Sequence, residues 1–283
     1  MRTNGAKVVA PPRRLAIGCD GSEGARDALA LARVLAGRDA SFLLVDVAPR
    51  GILGRRLSDH RPADFSAARA SLAGADGAAE VETRTVRAES AAEVLADIGG
   101  DERRDLIVVG SPHRGALGRA LLGSVAKSLL HRSPVPVAVA PRGFHQGEPP
   151  ARLVVGFDGS AESRAALDWA ADFATGRGAE IEVYTVATPP VSIPGALGYR
   201  PPGPDDPFTP LEQATDRIDE EVAVHAHLRV GPAAPNLAAA ARPTDLLVVG
   251  VETRGGLEEA LIGSVTDALV TSPGSPIVVV PRP

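Results

Sequence analysis

Two glycine-serine clusters with the same spacing are the residues of this sequence best suited to bind a phosphate. In the first cluster an apolar run ends at Gly110, and the pair Gly123-Ser124 follows at the start of a helical pattern. In the second, Gly250 and Gly263-Ser264 repeat that spacing. Glycine lets the backbone approach a phosphate closely, and the free N–H groups that open a helix point towards it. The serine hydroxyls are placed either to contact that phosphate or to cap the helix.

Two carboxylates stand where they could face these clusters. Asp20 and Asp158 each open an Asp-Gly-Ser turn that follows a short apolar run. In a doubly wound sheet, ligands bind at the carboxyl ends of the strands where the strand order reverses. If the first and fourth strands of each unit are neighbours there, each aspartate meets a glycine cluster and could accept hydrogen bonds from ribose hydroxyls. The alternative is turn and cap chemistry alone, which Asp-Gly-Ser suits anywhere.

The elements that position these residues belong to a unit that occurs twice in the sequence. The two matching glycine positions of the clusters lie at one identical offset along the chain, and the two aspartates lie at nearly the same offset. A nearly constant offset indicates that one ancestral unit was duplicated. Each unit alternates short apolar runs with helical patterns, which requires right-handed crossovers and a mostly parallel sheet. The sequence therefore predicts an α/β protein with two doubly wound five-strand parallel-sheet domains, layered as in flavodoxin.

We expect a flexible tail at 1–12, a first domain at 13–142, a linker at 143–151 and a second domain at 152–281. Strands are expected at 15–19, 42–47, 79–86, 106–109 and 135–140, then at 153–157, 181–186, 222–229, 246–249 and 277–280. Helices are expected at 23–36, 64–73, 90–98, 161–174, 211–220 and 233–241, with one more before each final strand. Segments 49–62 and 188–210 are rich in arginine or proline without periodicity, which predicts loops.

Composition limits the class of protein. Apolar residues make up 44% of the 283 residues and aromatic residues only 3%, so the cores must be thin layers of Ala, Val and Leu. Cys19 is the single cysteine, which excludes an internal disulfide and fits a reducing cytoplasm. No apolar run approaches the roughly 18 residues of a membrane span, so we expect no membrane association.

The charge is divided unevenly between the halves. Residues 1–145 contain 21 Lys+Arg against 16 Asp+Glu, whereas residues 146–283 contain 9 against 19. This difference reflects either drift of a solvated surface or attraction of the halves to each other or to a second chain. Neither half is basic enough to indicate a nucleic-acid partner.

These motifs resemble the universal stress protein family, as two domains in tandem, an arrangement common in actinobacteria. The family's first strand typically ends V-G-x-D-G-S, which reads I-G-C-D-G-S at Ile17–Ser22 and V-G-F-D-G-S at Val155–Ser160. The motif after its fourth strand is G-x2-G-x9-G-[ST], and the resemblance covers nearly all of 13–142 and 151–281. It implies that adenine nucleotide, ATP with Mg²⁺, binds at Gly18, Asp20, Val47, Val109, Gly110, Arg114, Gly115, Gly123, Ser124 and Val125, and at Gly156, Asp158, Val186, Val249, Gly250, Gly255, Gly263, Ser264 and Val265.

The resemblance also implies roles for these residues. The two aspartates match the position that holds the ribose and adenine side of the nucleotide, and Val47 and Val186 match the residue that lines the adenine. The glycines and serines of the clusters match the phosphate loop.

Both copies depart from the family motif at one position. His113 and Thr253 replace the second glycine, where a β-carbon disfavours a positive φ or narrows the phosphate path. The glycines at 115 and 255 follow closely and could supply the missing turn. The first loop also carries Arg114 and Arg119, whereas the second adds three glutamates, so we expect the first domain to bind nucleotide more tightly.

The resemblance implies a cytoplasmic stress-response protein that binds ATP and acts as a non-catalytic regulator or sensor through an unnamed protein partner. The sequence contains no P-loop, nucleophile elbow, H-E-x-x-H or C-x-x-C motif. The phosphate loops have no lysine to reach the β and γ phosphates, and the whole chain has only two lysines, Lys7 and Lys127. An efficient phosphoryl-transfer enzyme normally has such a charge clamp and a metal-holding acid. Two alternatives stay open: a weak ATPase or self-phosphorylating protein, and a nucleotide-free interaction scaffold.

Two further features have expectations of their own. The family's final strands commonly pair two domains, so 135–140 and 277–280 are expected to join the halves as a pseudo-dimer or to join two chains. His225 and His227 share one strand face, but without a third ligand nearby we expect no metal site.

Overall fold

The computed structural model of the chain describes residues 12–49, 63–72, 80–111, 123–145, 148–175, 177–187, 218–251, 264–271 and 274–282. The first repeat contains β1 (Arg14–Gly18), α1 (Glu23–Leu35), β2 (Ser41–Pro49), α2 (Phe65–Leu72), β3 (Glu80–Ala88), α3 (Ala91–Asp101), β4 (Leu106–Gly110), α4 (Ser124–Arg132) and β5 (Val137–Ala140). The second contains β6 (Arg152–Gly156), α5 (Ala161–Ala174), β7 (Glu180–Ala187), β8 (Val224–Val230), α6 (Ala233–Ala240), β9 (Leu246–Val251), α7 (Ser264–Thr271) and β10 (Ile277–Pro281).

Serine caps determine where three of these helices begin. The Ser22, Ser90 and Ser160 hydroxyls each accept a hydrogen bond from a backbone N–H in the first turn, at 3.2, 3.3 and 3.1 Å. Each serine precedes the first residue of α1, α3 or α5 and has an extended backbone. The capping bond satisfies one of the N–H groups that a helix start leaves free.

The structure differs from the sequence expectations at several boundaries. β2 continues to Pro49, which was expected in a loop; a proline fits at the end of a strand because it need not donate there. Residues 218–220 of the helix expected at 211–220 are not helical, and the rest of that helix lies outside the described residues. The loops expected at 50–62 and 188–210 also lie outside them.

The expected tail and linker are partly packed. Pro12 is buried, and its carbonyl accepts the Gly37 N–H at 2.8 Å. At the start of the expected linker, the Gly143 N–H donates to the Asp27 carboxylate at 3.0 Å, and Phe144 is buried in the core. The aromatic side chain at 144 therefore belongs to the domain core, because its apolar surface is removed from water.

All ten strands form one sheet in the order β3-β2-β1-β4-β5-β10-β9-β6-β7-β8. Within each repeat the strands are parallel, and the order reverses between the first and fourth strands, as expected. The order 3-2-1-4-5 matches the first five strands of the classic dinucleotide-binding order 3-2-1-4-5-6, whereas flavodoxin itself has 2-1-3-4-5. The central strands β4 and β9 are buried along nearly their whole length, which accounts for their continuous Leu, Ile and Val runs.

The repeats meet through their last strands, which pair antiparallel as β5 and β10. Ala138 faces Val278, and these two residues occupy equivalent positions of the two repeats. An approximate two-fold axis therefore passes between them. The expected pairing of 135–140 with 277–280 is present within the chain, over Val137–Val139 and Ile277–Val279.

Helices cover both faces of the sheet. One apolar cluster packs α1, α2 and α5 on one face, and a second packs α3, α4, α6 and α7 on the other. Each cluster contains residues of both repeats, so the core is continuous across the β5–β10 junction. The parallel strands of each repeat place their carboxyl ends at one edge of the sheet, where ligands bind in doubly wound folds.

Candidate functional site

A cavity of about 1080 Å³ opens at the carboxyl ends of β1 and β4, where the strand order of the first repeat reverses. Most residues that the sequence assigned to a nucleotide site in this repeat line it: Gly18, Asp20, Val47, Val109, Gly110, Gly123, Ser124 and Val125. The others assigned there, Arg114 and Gly115, lie outside the described residues, as does His113. The pairing of β1 with β4 brings these residues together from distant parts of the repeat.

Asp20 forms the turn between β1 and α1 and remains at the surface of the cavity. Its Oδ1 accepts the Ser22 N–H at 3.0 Å, the turn chemistry that Asp-Gly-Ser favours. Ser22, rather than Asp20, caps α1 through its bond from Ala25. Gly21 has φ +78°, a left-handed conformation that glycine adopts without strain. The turn thus holds the exposed Asp20 carboxylate at the mouth of the cavity.

Gly110 is required by the close approach of α1 to the end of β4. A β-carbon on Gly110 would lie 2.8 Å from the Gly24 Cα and closer still to its carbonyl. A β-carbon on Gly24 would lie 2.7 Å from the Ser111 carbonyl oxygen. Two glycines therefore let the backbone of a helix start pass directly against a strand end. This packing role exists whether or not a phosphate binds there.

The observed start of α4 shows that the Ser124 hydroxyl does not act as a helix cap. Gly123 is the N-cap, with φ −61° and ψ 142°, and makes no side-chain cap hydrogen bond. Ser124 is the first helical residue and is exposed in the cavity wall. Its hydroxyl therefore does not cap the helix. A helix start directs N–H groups and the positive end of the helix dipole at its surroundings, which suits an anion.

The opposite end of the cavity is apolar. Val45 and Val47 of β2, Leu95 of α3 and Val109 of β4 line it. Gly18 lies among them, and a β-carbon there would be 3.4 Å from both the Leu95 and Val109 side chains. The cavity thus has an apolar wall at one end and a helix start at the other. Val45 and Leu95 were not identified from the sequence, because only the packing of α3 on the sheet places them there.

Cys19 lies beneath this cavity and behaves as core. It is 4% exposed, and burial raises the pKa of its thiol, with smaller contributions of the same sign from Asp20 and Asp46. A thiol with a raised pKa is a poor nucleophile at neutral pH. This environment is that of an inert core residue.

The second repeat holds equivalent residues at the junction of β6 and β9. Gly156, Asp158, Val186, Val249, Gly250, Ser264 and Val265 lie in the described parts of that repeat, whereas Thr253, Gly255 and Gly263 do not. Asp158 is exposed, as Asp20 is, and partial burial of its carboxyl opposes ionisation. Hydrogen bonds from Ser160 and Ser163 nevertheless hold the pKa of Asp158 below its ordinary value.

Of the two strand histidines, His225 and His227, the second is engaged in local contacts. It stacks on Tyr184 with ring centroids 4.5 Å apart, and its Nε2 lies 3.4 Å from Glu182 Oε2. Within the part of the chain that the structure describes, no three His, Cys, Asp or Glu side chains are grouped to hold a metal ion. No described helix has the length and apolarity needed to cross a bilayer.

Fold and cavity together define a tandem, doubly wound α/β protein with a ligand-sized crevice at its switch point. The sequence profile of the universal stress protein family matches residues 12–141 and 151–281. The chain belongs to the universal stress protein family, in two tandem copies.

Relatives with this family name occur in mycobacteria. A universal stress protein of Mycolicibacterium smegmatis is 35% identical over 209 residues, covering 69% of this chain and 67% of that protein. One from Mycobacterium tuberculosis is 34% identical over 191 residues, covering 62% of this chain and 58% of that protein. The alignment thus spans less than two thirds of the M. tuberculosis protein.

Solved structures agree on the fold over nearly the whole chain. A universal stress protein from Archaeoglobus fulgidus has a TM-score of 0.72 at 20% identity, covering 96% of this chain and 99% of that one. A Pseudomonas aeruginosa protein described as a putative universal stress protein has a TM-score of 0.62 at 20% identity, covering 95% and 93%.

Proposed function

We propose that this chain is a stress-response protein that binds an adenine nucleotide, ATP, in the crevice of the first repeat and acts as a non-catalytic sensor. The observation that carries the proposal is the two-ended crevice at the β1–β4 switch point. Its apolar end suits a purine ring, and its helix start suits phosphates. Asp20, at the mouth between these ends, is the acceptor for ribose hydroxyls.

The described lining favours binding over phosphoryl transfer. Arg26 is the cation among the described residues that line the crevice, and no lysine is among them. Phosphoryl transfer relies on several cations and a metal-holding acid around the transferred group. Magnesium would enter with the nucleotide phosphates, as it commonly does, without a dedicated protein cage. A binding role that signals through a partner therefore fits this lining better than a weak ATPase.

Calorimetric titration of the full chain with Mg²⁺-ATP tests the proposal. We expect saturable binding that Asp20→Asn weakens about tenfold, since the amide keeps the turn acceptor but loses the charge-assisted bonds to the ribose. Asp97→Asn, on the exposed face of α3, is the matched control and should leave binding unchanged. Phosphate release should stay at the level of a blank without protein.

Two results would contradict the proposal. If there is no binding heat and no rise in melting temperature at millimolar ATP, the nucleotide-free interaction scaffold would become the leading function. Phosphate release that requires Mg²⁺ and disappears in Asp20→Asn would instead favour an ATPase.

A further inference from the structure

The strand and helix ends that frame the first crevice differ from their counterparts in the second repeat at three equivalent positions. When the two Asp-Gly-Ser turns are superposed in sequence, Cys19 corresponds to Phe157 and Gly24 to Glu162. Val45 corresponds to Tyr184, because each pairs with the glycine that ends β1 or β6. In every case the second repeat carries the larger side chain.

Glu162 places a carboxylate at the position that Gly24 occupies in the first repeat, where the preceding residue, Glu23, lines the cavity. It is the second residue of α5, and its Cβ lies 2.9 Å from the position that a β-carbon on Gly250 would occupy. Its side chain is 17% exposed, and its Oε1 lies 3.6 Å from Arg282 Nη1. Gly24, the equivalent residue, lines the first crevice with backbone alone. A carboxylate beside the glycine end of β9 repels the phosphates of a nucleotide bound in that crevice.

Tyr184 occupies the strand position at which Val45 lines the apolar end of the first cavity. It is 6% exposed, and its hydroxyl donates to Glu182 Oε2 at 2.9 Å. Its ring stacks on His227, and the Arg229 guanidinium lies 5.6 Å from the ring centroid. These contacts hold the ring in place. Val45, in the corresponding place, lines the first cavity. A tyrosine held by three neighbours is fixed in its rotamer, and its side chain is larger than the valine at the equivalent position.

We propose that the chain binds one phosphate-bearing nucleotide, in the first repeat, and that Glu162 and Tyr184 exclude such a nucleotide from the second. This inference rests on the proposed function of the first crevice. It makes the repeats unequal by construction: one crevice takes the ligand, and its partner across the β5–β10 junction is closed to it. The exclusion has a charge component at Glu162 and a steric component at Tyr184, and the two can be removed separately.

The test is calorimetric stoichiometry of Mg²⁺-ATP on the full chain. Wild type is expected to bind one equivalent. The double variant Glu162→Gln/Tyr184→Val should bind a second equivalent, with the affinity of the second site raised at least about tenfold. Asp168→Asn removes a carboxylate from the exposed face of α5, about 9 Å further along the helix, and should bind one equivalent as wild type does.

A reciprocal variant assigns the wild-type site to its repeat. Val45→Tyr introduces the aromatic side chain into the first crevice and should abolish binding of the single equivalent. If Val45→Tyr unfolds, as judged by its melting curve, Val47→Phe at the same wall gives the same readout. Retention of one equivalent by a folded Val45→Tyr or Val47→Phe variant would overturn the assignment.

The remaining outcomes separate this inference from the proposed function. Two equivalents in wild type would support nucleotide binding but overturn the exclusion. No binding by wild type, with one equivalent gained by the double variant, would overturn the proposed function and retain the exclusion. No binding by either protein would overturn both.

Discussion

Lys127 and Asp267 occupy equivalent positions of the two repeats and face each other across the pseudo-two-fold axis, with Nζ 3.6 Å from Oδ1. Position 127 lies on α4 and position 267 on α7. Pairing of two like repeats in the same geometry would bring lysine to lysine or aspartate to aspartate. The opposite charges therefore favour the pairing of unlike repeats that the chain contains.

The effects of reversing the two charges on the free energy of unfolding should be only partly additive. Because both side chains are about half exposed, Lys127→Asp or Asp267→Lys alone should lower the free energy of unfolding by no more than about 1 kcal/mol. The double swap Lys127→Asp/Asp267→Lys should restore it to within about 0.3 kcal/mol of wild type. Urea unfolding at low salt measures the coupling, which should shrink at an ionic strength of about 1 M, where the Debye length is about 3 Å. A loss in the double variant equal to the sum of the two single losses would mean that the pair is not coupled.

Arg177 of the second repeat holds the end of α1 in the first. Its guanidinium donates to the carbonyls of Val34, Leu35 and Ala36 at 3.2, 3.1 and 2.7 Å and packs 4.3 Å from the Phe173 ring centroid. These are carbonyls at the negative end of α1, which a cation stabilises.

Arg177→Ala should lower the free energy of unfolding by about 2 kcal/mol, because charge-assisted bonds to half-buried carbonyls are lost. Arg38, at the corresponding place in the first repeat, is exposed, and Arg38→Ala should change it by less than about 0.5 kcal/mol. Denaturant unfolding of both variants gives the comparison. Equal effects would show that the contact across the repeats contributes nothing particular.

Gly110→Ala tests the steric reason for the glycine at the end of β4. Its β-carbon would collide with the backbone of Gly24, and neither group is a flexible side chain that can move away. We expect a loss of about 3 kcal/mol in the free energy of unfolding, since backbone must shift to accommodate the methyl group. Gly274→Ala is the control, because a β-carbon there meets nothing within 4 Å. A Gly110→Ala variant as stable as this control would refute the close approach.

Acid should remove the contribution of Glu182 to stability. Burial disfavours the charged carboxylate, but bonds from Arg152 and Tyr184 outweigh it and hold the pKa of Glu182 below its ordinary value. Since its pKa is lower in the folded than in the unfolded state, the stabilisation is complete above the unfolded value of about 4.3 and is lost as the pH falls through the folded value.

Glu182→Gln should therefore be less stable than wild type at pH 7, and its unfolding midpoint should fall less steeply between about pH 5 and 3. Glu80→Gln, at the exposed start of β3, is the control and should follow the wild-type curve. Urea midpoints measured across this range decide the matter. Parallel curves for wild type and Glu182→Gln would be inconsistent with the lowered pKa.

Much of the first crevice could be predicted from local sequence signals. Asp20 and Gly21 stand in a turn whose residue types demand it, and Gly110 ends a run of apolar residues typical of a buried strand. Turns and strands of this kind depend on local backbone conformation and on the spacing of apolar residues, which a few adjacent residues determine. The boundary at Pro49 was predicted less well, because pairing with β3 extends β2 beyond what local preference indicates.

Other features depended on contacts that no local pattern encodes. Ser124 was expected either to cap a helix or to contact a ligand, and the observed helix start removed the capping alternative. The tyrosine at 184 looks like an ordinary strand residue in the sequence. Its place beside His227 and Arg229 arises from parallel pairing with β8, a strand that follows much later in the chain.

By itself, the sequence determined that this is a duplicated α/β chain with an aspartate and a glycine cluster per repeat, because repeats, turns and strand runs are local and periodic signals. Tertiary structure decided how the repeats join and how they differ. The antiparallel β5–β10 pairing, the Lys127–Asp267 contact and the unequal walls at Gly24 and Glu162 all arise between segments distant in the chain. Such contacts are set by the packing of whole elements, so they become visible only when the strands are placed side by side.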